Sequence, residues 1–176
     1  MNALDIPRLV AQILDGNALS PWGIHGVTHW ARVMENGLKL AETTGAHPAV
    51  VTLFALFHDS RRIDDGDDYG HGGRGAELAR EYRGVYYDLP DAEFELLYRA
   101  CERHTGGRTD DSETVLTCWD ADRLDLGRVG SMPDPRYLCT EAGRSAAMID
   151  WAHTRSVAEY TSPLLAEWGL TPPAWR

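Results

Sequence analysis

Apolar residues recur along most of this chain at intervals of three and four, with Gly-, Pro- and Asp-rich breaks between the runs. That rhythm predicts helices rather than strands. It is clearest over 25–44, where Val27, Ala31, Met34, Leu38 and Ala41 form one stripe and Trp30, Val33 and Leu40 widen it. Residues 3–15 repeat the pattern with Leu4, Leu9, Val10, Ile13 and Leu14. The stretch 48–60, "PAVVTLFALFHDS", is apolar on every side until its last residues. Such a segment belongs at the centre of a core. Its "VVTLF" alone would also suit a buried strand, but the length of the run and Pro48 at a first-turn position favour helix. Further helices are predicted over 72–83, 91–104, 112–127, 140–152 and 156–167. Two of these begin at capping-box spacing, Asp110 with Glu113 and Ser156 with Glu159. Residues 17–24, 61–70 and the "GSMPDPRY" segment read as connections. The expected fold class is all-α.

Composition narrows the function. The 176 residues suit one domain, taken as 1–176, with a motif core at about 25–130 and a C-terminal helical extension over 131–176. A formal net charge of −10 disfavours nucleic acid and anionic membranes as partners. It leaves anionic small molecules open, because a bound divalent cation inverts the local field. Three cysteines with no C-x-x-C pair give no disulfide framework, so a reducing, cytoplasmic setting is expected. The N-terminus does not read as a signal peptide, and the apolar run 49–57 is too short to span a bilayer.

The chemistry gathers where apolar helices end in polar residues. His58-Asp59 terminates the most apolar segment of the chain. A buried carboxylate there is costly unless paired or bound to a metal, and an aspartate at a helix C-terminus opposes the dipole. A cation would relieve both penalties. At 100° per residue, His25, His29, Arg32 and Asn36 share a stripe about 60° wide bordering the core face of their helix. In "CWDADRLDLGRV", Asp122 and Asp125 share a face, whereas Asp120 points elsewhere and is expected on the solvated side. The acidic loop "DDGDD", 64–68, lacks EF-hand register and is expected to be solvated.

Taken in order, "HGVTHWARV", "LFHDSRR" and "DADRLDL" resemble the HD-domain superfamily of metal-dependent phosphohydrolases. The resemblance implies an HD-domain helical bundle with His29, His58, Asp59 and Asp122 as metal ligands. Members with two metals insert two more histidines between the HD pair and the last aspartate; His71 and His104 stand in that order, and Asp59 would then bridge. The implied cofactor is one or two divalent ions. A set of nitrogens and oxygens without thiolate suits Mn, Fe, Mg, Ni or Zn. The usual "HDIG" is "HDSR" here and no GYP motif follows, which argues against the cyclic-di-GMP branch.

The resemblance implies hydrolysis of a small phosphomonoester or phosphodiester, nucleotides included, by a metal-activated water. Asp59 would ligate and orient. Arg32, Arg61 and Arg74 would contact the phosphate, Arg61, which follows the HD pair closely, also serving as a catalytic residue; Arg62 and Arg108 are further candidates that read better as surface charges. His104 or His25 would protonate the leaving group. Two other classes share these residues: a di-iron oxygenase of the HD-like type, and a non-catalytic module whose metal ties helices together.

Overall fold

The computed structural model describes residues 4–174. Among them are nine α-helices and no strand, only an isolated bridge between Arg83 and Tyr87. The all-α expectation holds. The helices are α1 (Ile6–Asp15), α2 (Val27–Thr44), α3 (Pro48–Phe57), α4 (His71–Tyr82), α5 (Asp91–Arg103), α6 (Glu113–Arg123), α7 (Glu141–Arg144), α8 (Ala146–Val157) and α9 (Leu164–Glu167). Short 3₁₀ turns at Leu126–Val129 and Pro135–Tyr137 follow α6.

Local chemistry sets the boundaries. Asp5 caps α1 by accepting from the Arg8 amide at 3.1 Å. Gly45, at φ 72°, closes α2 in the left-handed conformation that a side chain would resist. Pro48 opens α3, whose residues from Val50 to Phe57 are buried against α1, α2, α4, α5 and α6. That central position is why α3 carries almost no polar residue until its end. The helix stops at Phe57, so His58 and Asp59 lie in the turn beyond it, although the His58 amide still bonds to the Phe54 carbonyl at 3.0 Å.

The C-terminal third departs from the sequence expectation. The helix expected over 140–152 is split into α7 and α8, and the one expected over 156–167 is reduced to α9. Ser156 does not cap a helix start. It lies buried near the end of α8 and donates to the Asp125 carbonyl at 2.9 Å. Glu159 takes a positive φ of 50° just after α8. Asp110 does not cap α6; Ser112 holds that position, and Asp110 accepts from its amide at 3.0 Å. Leu138, Met148, Ile149 and Ala152 form a second small core with Leu40 and Leu124, seating this segment on α2 and α6. Trp168 is buried, Trp151 is half-buried against Lys39 and Arg155, and Trp175 lies outside the described residues.

Asp120 overturns its expectation outright. It is fully buried and accepts from the amides of Cys139 (2.6 Å) and Thr140 (2.8 Å) and from the Thr140 hydroxyl (2.7 Å). Far from being a solvated charge, it fastens the returning chain to α6. Burial raises its carboxyl pKa despite those donors.

Candidate metal centre

Four imidazoles and two carboxylates converge beneath one open pocket. His29 comes from the first turn of α2, His58 and Asp59 from the turn after α3, His71 from the first residue of α4, His104 from just past α5, and Asp122 from the last turn of α6. The four histidines are 0–3% exposed and Asp59 is 5% exposed, so water cannot be their main partner. The sequence-predicted ligands are thus all brought together.

Each histidine is held by its Nδ1. That of His58 faces the carbonyls of Phe54 and Ala55 at 3.2 Å, that of His104 faces the Cys101 carbonyl at 2.8 Å, and that of His71 faces the Asp68 carbonyl. A carbonyl only accepts, so these Nδ1 atoms carry the proton and Nε2 is left with a bare lone pair. His29 Nδ1 likewise donates to Asp125 Oδ2 at 2.7 Å. Yet His29 Nε2 stands 3.1 Å from His58 Nε2, and His71 Nε2 2.9 Å from His104 Nε2. Two lone pairs cannot bond to each other. A cation between them resolves the contact, and outer partners on Nδ1 are the usual support of metal-bound histidine.

Asp59 joins the two pairs. Its Oδ2 lies 3.6 Å from His29 Nε2 and 3.7 Å from His58 Nε2, and accepts from His25 Nδ1 at 2.7 Å. Its Oδ1 lies 3.2 Å from His71 Nε2 and 3.5 Å from His104 Nε2, and has no hydrogen-bond donor among the described residues. A buried carboxylate oxygen without a donor costs free energy that a metal would offset. Two ligand groups therefore share this residue: His29, His58 and Asp59, and then Asp59, His71 and His104. Asp122 Oδ1 adds to the first, 3.3 Å from His29 Nε2 and 3.8 Å from His58 Nε2. The donor set fits one or two divalent cations.

The electrostatics suit ligation at His58, Asp59 and Asp122, whereas His104, which burial would lower, is raised by Asp59 and Asp122, so that a proton competes with a cation there. Burial lowers the His58 pKa to about 3, keeping its imidazole neutral. Burial alone would raise Asp59 and Asp122, but the surrounding histidines hold both carboxylates well below their ordinary range. The Cys101 and Cys118 thiols are raised by burial and stay protonated in the core, outside the ligand set.

The arginines fall differently from expectation. The structure does not bring Arg32, Arg61 or Arg74 to the pocket above the ligands. Arg32 is buried and grips Asp125 through Nε (2.6 Å) and a terminal nitrogen (3.0 Å). Arg61 turns to the Ile13 carbonyl at the end of α1 (2.9 Å) and to its own neighbour's carbonyl at Ser60 (3.0 Å). Arg74 pairs with Asp68 at 2.5 Å. Asp68 is itself buried, so only part of the acidic loop is solvated. Instead Arg62, Arg108, Arg123 and Arg128 line the cavity of about 490 Å³ that opens on Asp59, His71, His104 and Asp122. Met132, Pro133, Tyr137 and Leu138 form its apolar wall. Sequence reasoning also missed Asp125, the partner of both His29 and Arg32; its shared face with Asp122 was the available signal.

No family model and no curated protein matches this chain. Among solved structures it is similar to the crystal structure of a predicted HD superfamily hydrolase from an uncultured Thermotogales bacterium, at a TM-score of 0.63 and 28% identity, over 94% of this chain and 92% of that one.

Proposed function

We propose that this chain, all-α and similar in structure to a predicted HD superfamily hydrolase, is a metal-dependent phosphohydrolase acting on a small phosphomonoester or phosphodiester. The observation that carries this reading is the bridging position of Asp59, one oxygen turned to each histidine pair, at the floor of a pocket rimmed by arginines. A divalent ion held there would lower the pKa of a bound water and polarise a phosphoryl oxygen. The remaining tasks fall to the chain. His25 fixes the Asp59 carboxylate through its 2.7 Å bond. Arg108 is exposed at the rim, stacked 4.2 Å over the Tyr137 ring, and Arg128 spans from the Ile24 and Asp125 carbonyls to the same cavity. Both suit anion contacts, since guanidinium matches phosphate oxygens. In a chain of net charge −10, a pocket with four arginines selects for an anion. His104 has Nδ1 on the Cys101 carbonyl and Nε2 in the ligand cluster; His25, with Nδ1 on Asp59 and Nε2 3.3 Å from the Asp65 carbonyl, is the more exposed of the two and the one we assign as proton carrier.

No helix among the described residues is long and apolar enough to cross a membrane. We expect a cytoplasmic enzyme with a small-molecule phosphate ester as its partner.

The test is a panel of phosphate monoesters and diesters with protein loaded separately with Mn, Mg, Ni, Zn or Fe. Turnover that disappears in Asp59→Asn is the expected result. Oxygen uptake by the iron-loaded protein, with no ester cleaved under any metal, would transfer the site to the oxygenase class. Metal binding with neither activity would leave a structural module.

A further inference from the structure

Arg62 stands inside the metal cluster. Its guanidinium places one terminal nitrogen 3.0 Å from His71 Nε2, 3.2 Å from His71 Nδ1 and 3.6 Å from Asp59 Oδ1. Its other nitrogens are tied to loop carbonyls, Nε to Asp64 at 3.2 Å and the second terminal nitrogen to Gly66 at 2.8 Å. The side chain is 9% exposed and lines the pocket. Among the described residues no arginine stands against the other half, where His25 donates to Asp59 Oδ2 at 2.7 Å and Arg32 is held behind His29 by Asp125. The two halves are therefore unequal: the first has Asp122 as a second carboxylate, and the second has a guanidinium against its donors.

We propose that Arg62 is an internal competitor for the Asp59–His71–His104 half, so that the two halves load unequally and the second ion enters only as Arg62 leaves. An ion held by Asp59 Oδ1 and His71 Nε2 would share both donor atoms with the guanidinium, and two cations of low separation in a buried site repel strongly. The exit is short, because Arg62 already borders the pocket and its tethers are two carbonyls of an exposed loop. There its fork suits the oxygens of a phosphate. Anion and second ion should therefore bind cooperatively, each favouring the displaced arginine. This rests on the phosphohydrolase reading for the identity of the anion, but the competition itself concerns metal binding alone.

The experiment is calorimetric titration of metal-free protein with Mn²⁺, with and without inorganic phosphate, for wild type, Arg62→Met and Arg62→Lys. Circular dichroism checks that each variant is folded. Wild type is expected to show one tight and one weak site, with phosphate tightening the weak one. Arg62→Met should tighten the second site at least tenfold without phosphate and lose the phosphate effect, while Arg62→Lys, which keeps a charge, should stay near wild type. A second site unchanged or weakened in Arg62→Met would overturn the proposal while leaving the metal centre standing. Absence of any Mn²⁺ binding in all three proteins would overturn the metal-dependent reading and the proposal with it.

Discussion

His29 donates its Nδ1 proton to Asp125 Oδ2 at 2.7 Å, joining the start of α2 to the residue just past α6, and both side chains are buried. The same carboxylate is gripped by Arg32 through two bonds. Asp125 therefore does two things: it fixes which nitrogen of His29 faces the metal cluster, and it neutralises a buried arginine. Its own pKa would rise with burial, but the donors from His29 and Arg32 lower it, so it stays ionised.

The two roles separate by mutation. Asp125→Ala is expected to weaken metal affinity about 10- to 100-fold through the loss of an outer partner. It should also cost about 3–5 kcal/mol of stability, because Arg32 is left buried without its partner. Adding Arg32→Met removes the stranded charge and should restore part of the stability but none of the metal affinity. Denaturant midpoints and metal titrations on the pair of variants measure both. If the double variant recovered metal affinity as well, Asp125 would matter only for folding.

The shared position of Asp59 makes a stoichiometric prediction. At saturating Mn²⁺, His71→Ala and His104→Ala should each lose one ion and keep the other, since His29, His58 and Asp122 are untouched. Asp59→Ala should weaken both. Elemental analysis after equilibrium dialysis against saturating Mn²⁺, corrected for free ion, reads the outcome directly. Loss of both ions in His71→Ala would mean the two groups are not separable sites.

Of the six candidate ligands, His58 and Asp59 were legible because they end an apolar helix and carry an energetic question there; His29, His71, His104 and Asp122 were reached through the order of the resembling motifs. The all-α fold was legible from periodicity. The arginines were not. Arg61 lies two residues past the HD pair, yet its side chain is long enough to reach the Ile13 carbonyl in the last turn of α1, where the negative end of the helix attracts a cation. Proximity in sequence does not fix where such a side chain ends. Asp120 was missed because its partners, Cys139 and Thr140, arrive from a segment whose return path no local pattern announces. Ser156 and Glu159 have the spacing of a capping box, but burial of Ser156 against Asp125 extends α8 past that point.

The "HGGRG" segment that opens α4 has a packing reason. A Cβ at Gly72 would meet the Cys101 carbonyl and, at 3.0 Å, His104 Nδ1. One at Gly75 would meet the Phe57 carbonyl. The glycines let α4 lie against the ends of α3 and α5, which is what brings His71 Nε2 within 2.9 Å of His104 Nε2. Gly72→Ala is expected to cost about 1–3 kcal/mol by overpacking and to lower affinity for the second ion while sparing the first. Gly73→Ala, whose Cβ meets nothing within 4 Å, is the control and should be neutral or slightly stabilising. Equal behaviour of the two variants would remove close approach as the explanation.

Asp68 gives the pH dependence a defined sign. Its carboxylate accepts from Arg74 at 2.5 and 2.6 Å and from the Ile63 amide at 2.9 Å, while its carbonyl holds His71 Nδ1. Burial acts to raise its pKa, but the Arg74 bond and the Ile63 amide prevail and lower it from 3.8 to about 2. A carboxyl depressed in the folded state stabilises the protein above its unfolded pKa, and that contribution fades as pH falls through 3.8 towards 2. Arg74 is partly exposed, so solvent limits the pair to about 1 kcal/mol. In metal-free protein, Asp68→Asn should therefore be less stable than wild type by that amount at pH 7, by less at pH 3, and equal to it near pH 2. Urea midpoints at those three values provide the measurement. A deficit that stayed constant across the series would show that Asp68 acts through the shape of the 63–71 turn and not through its charge.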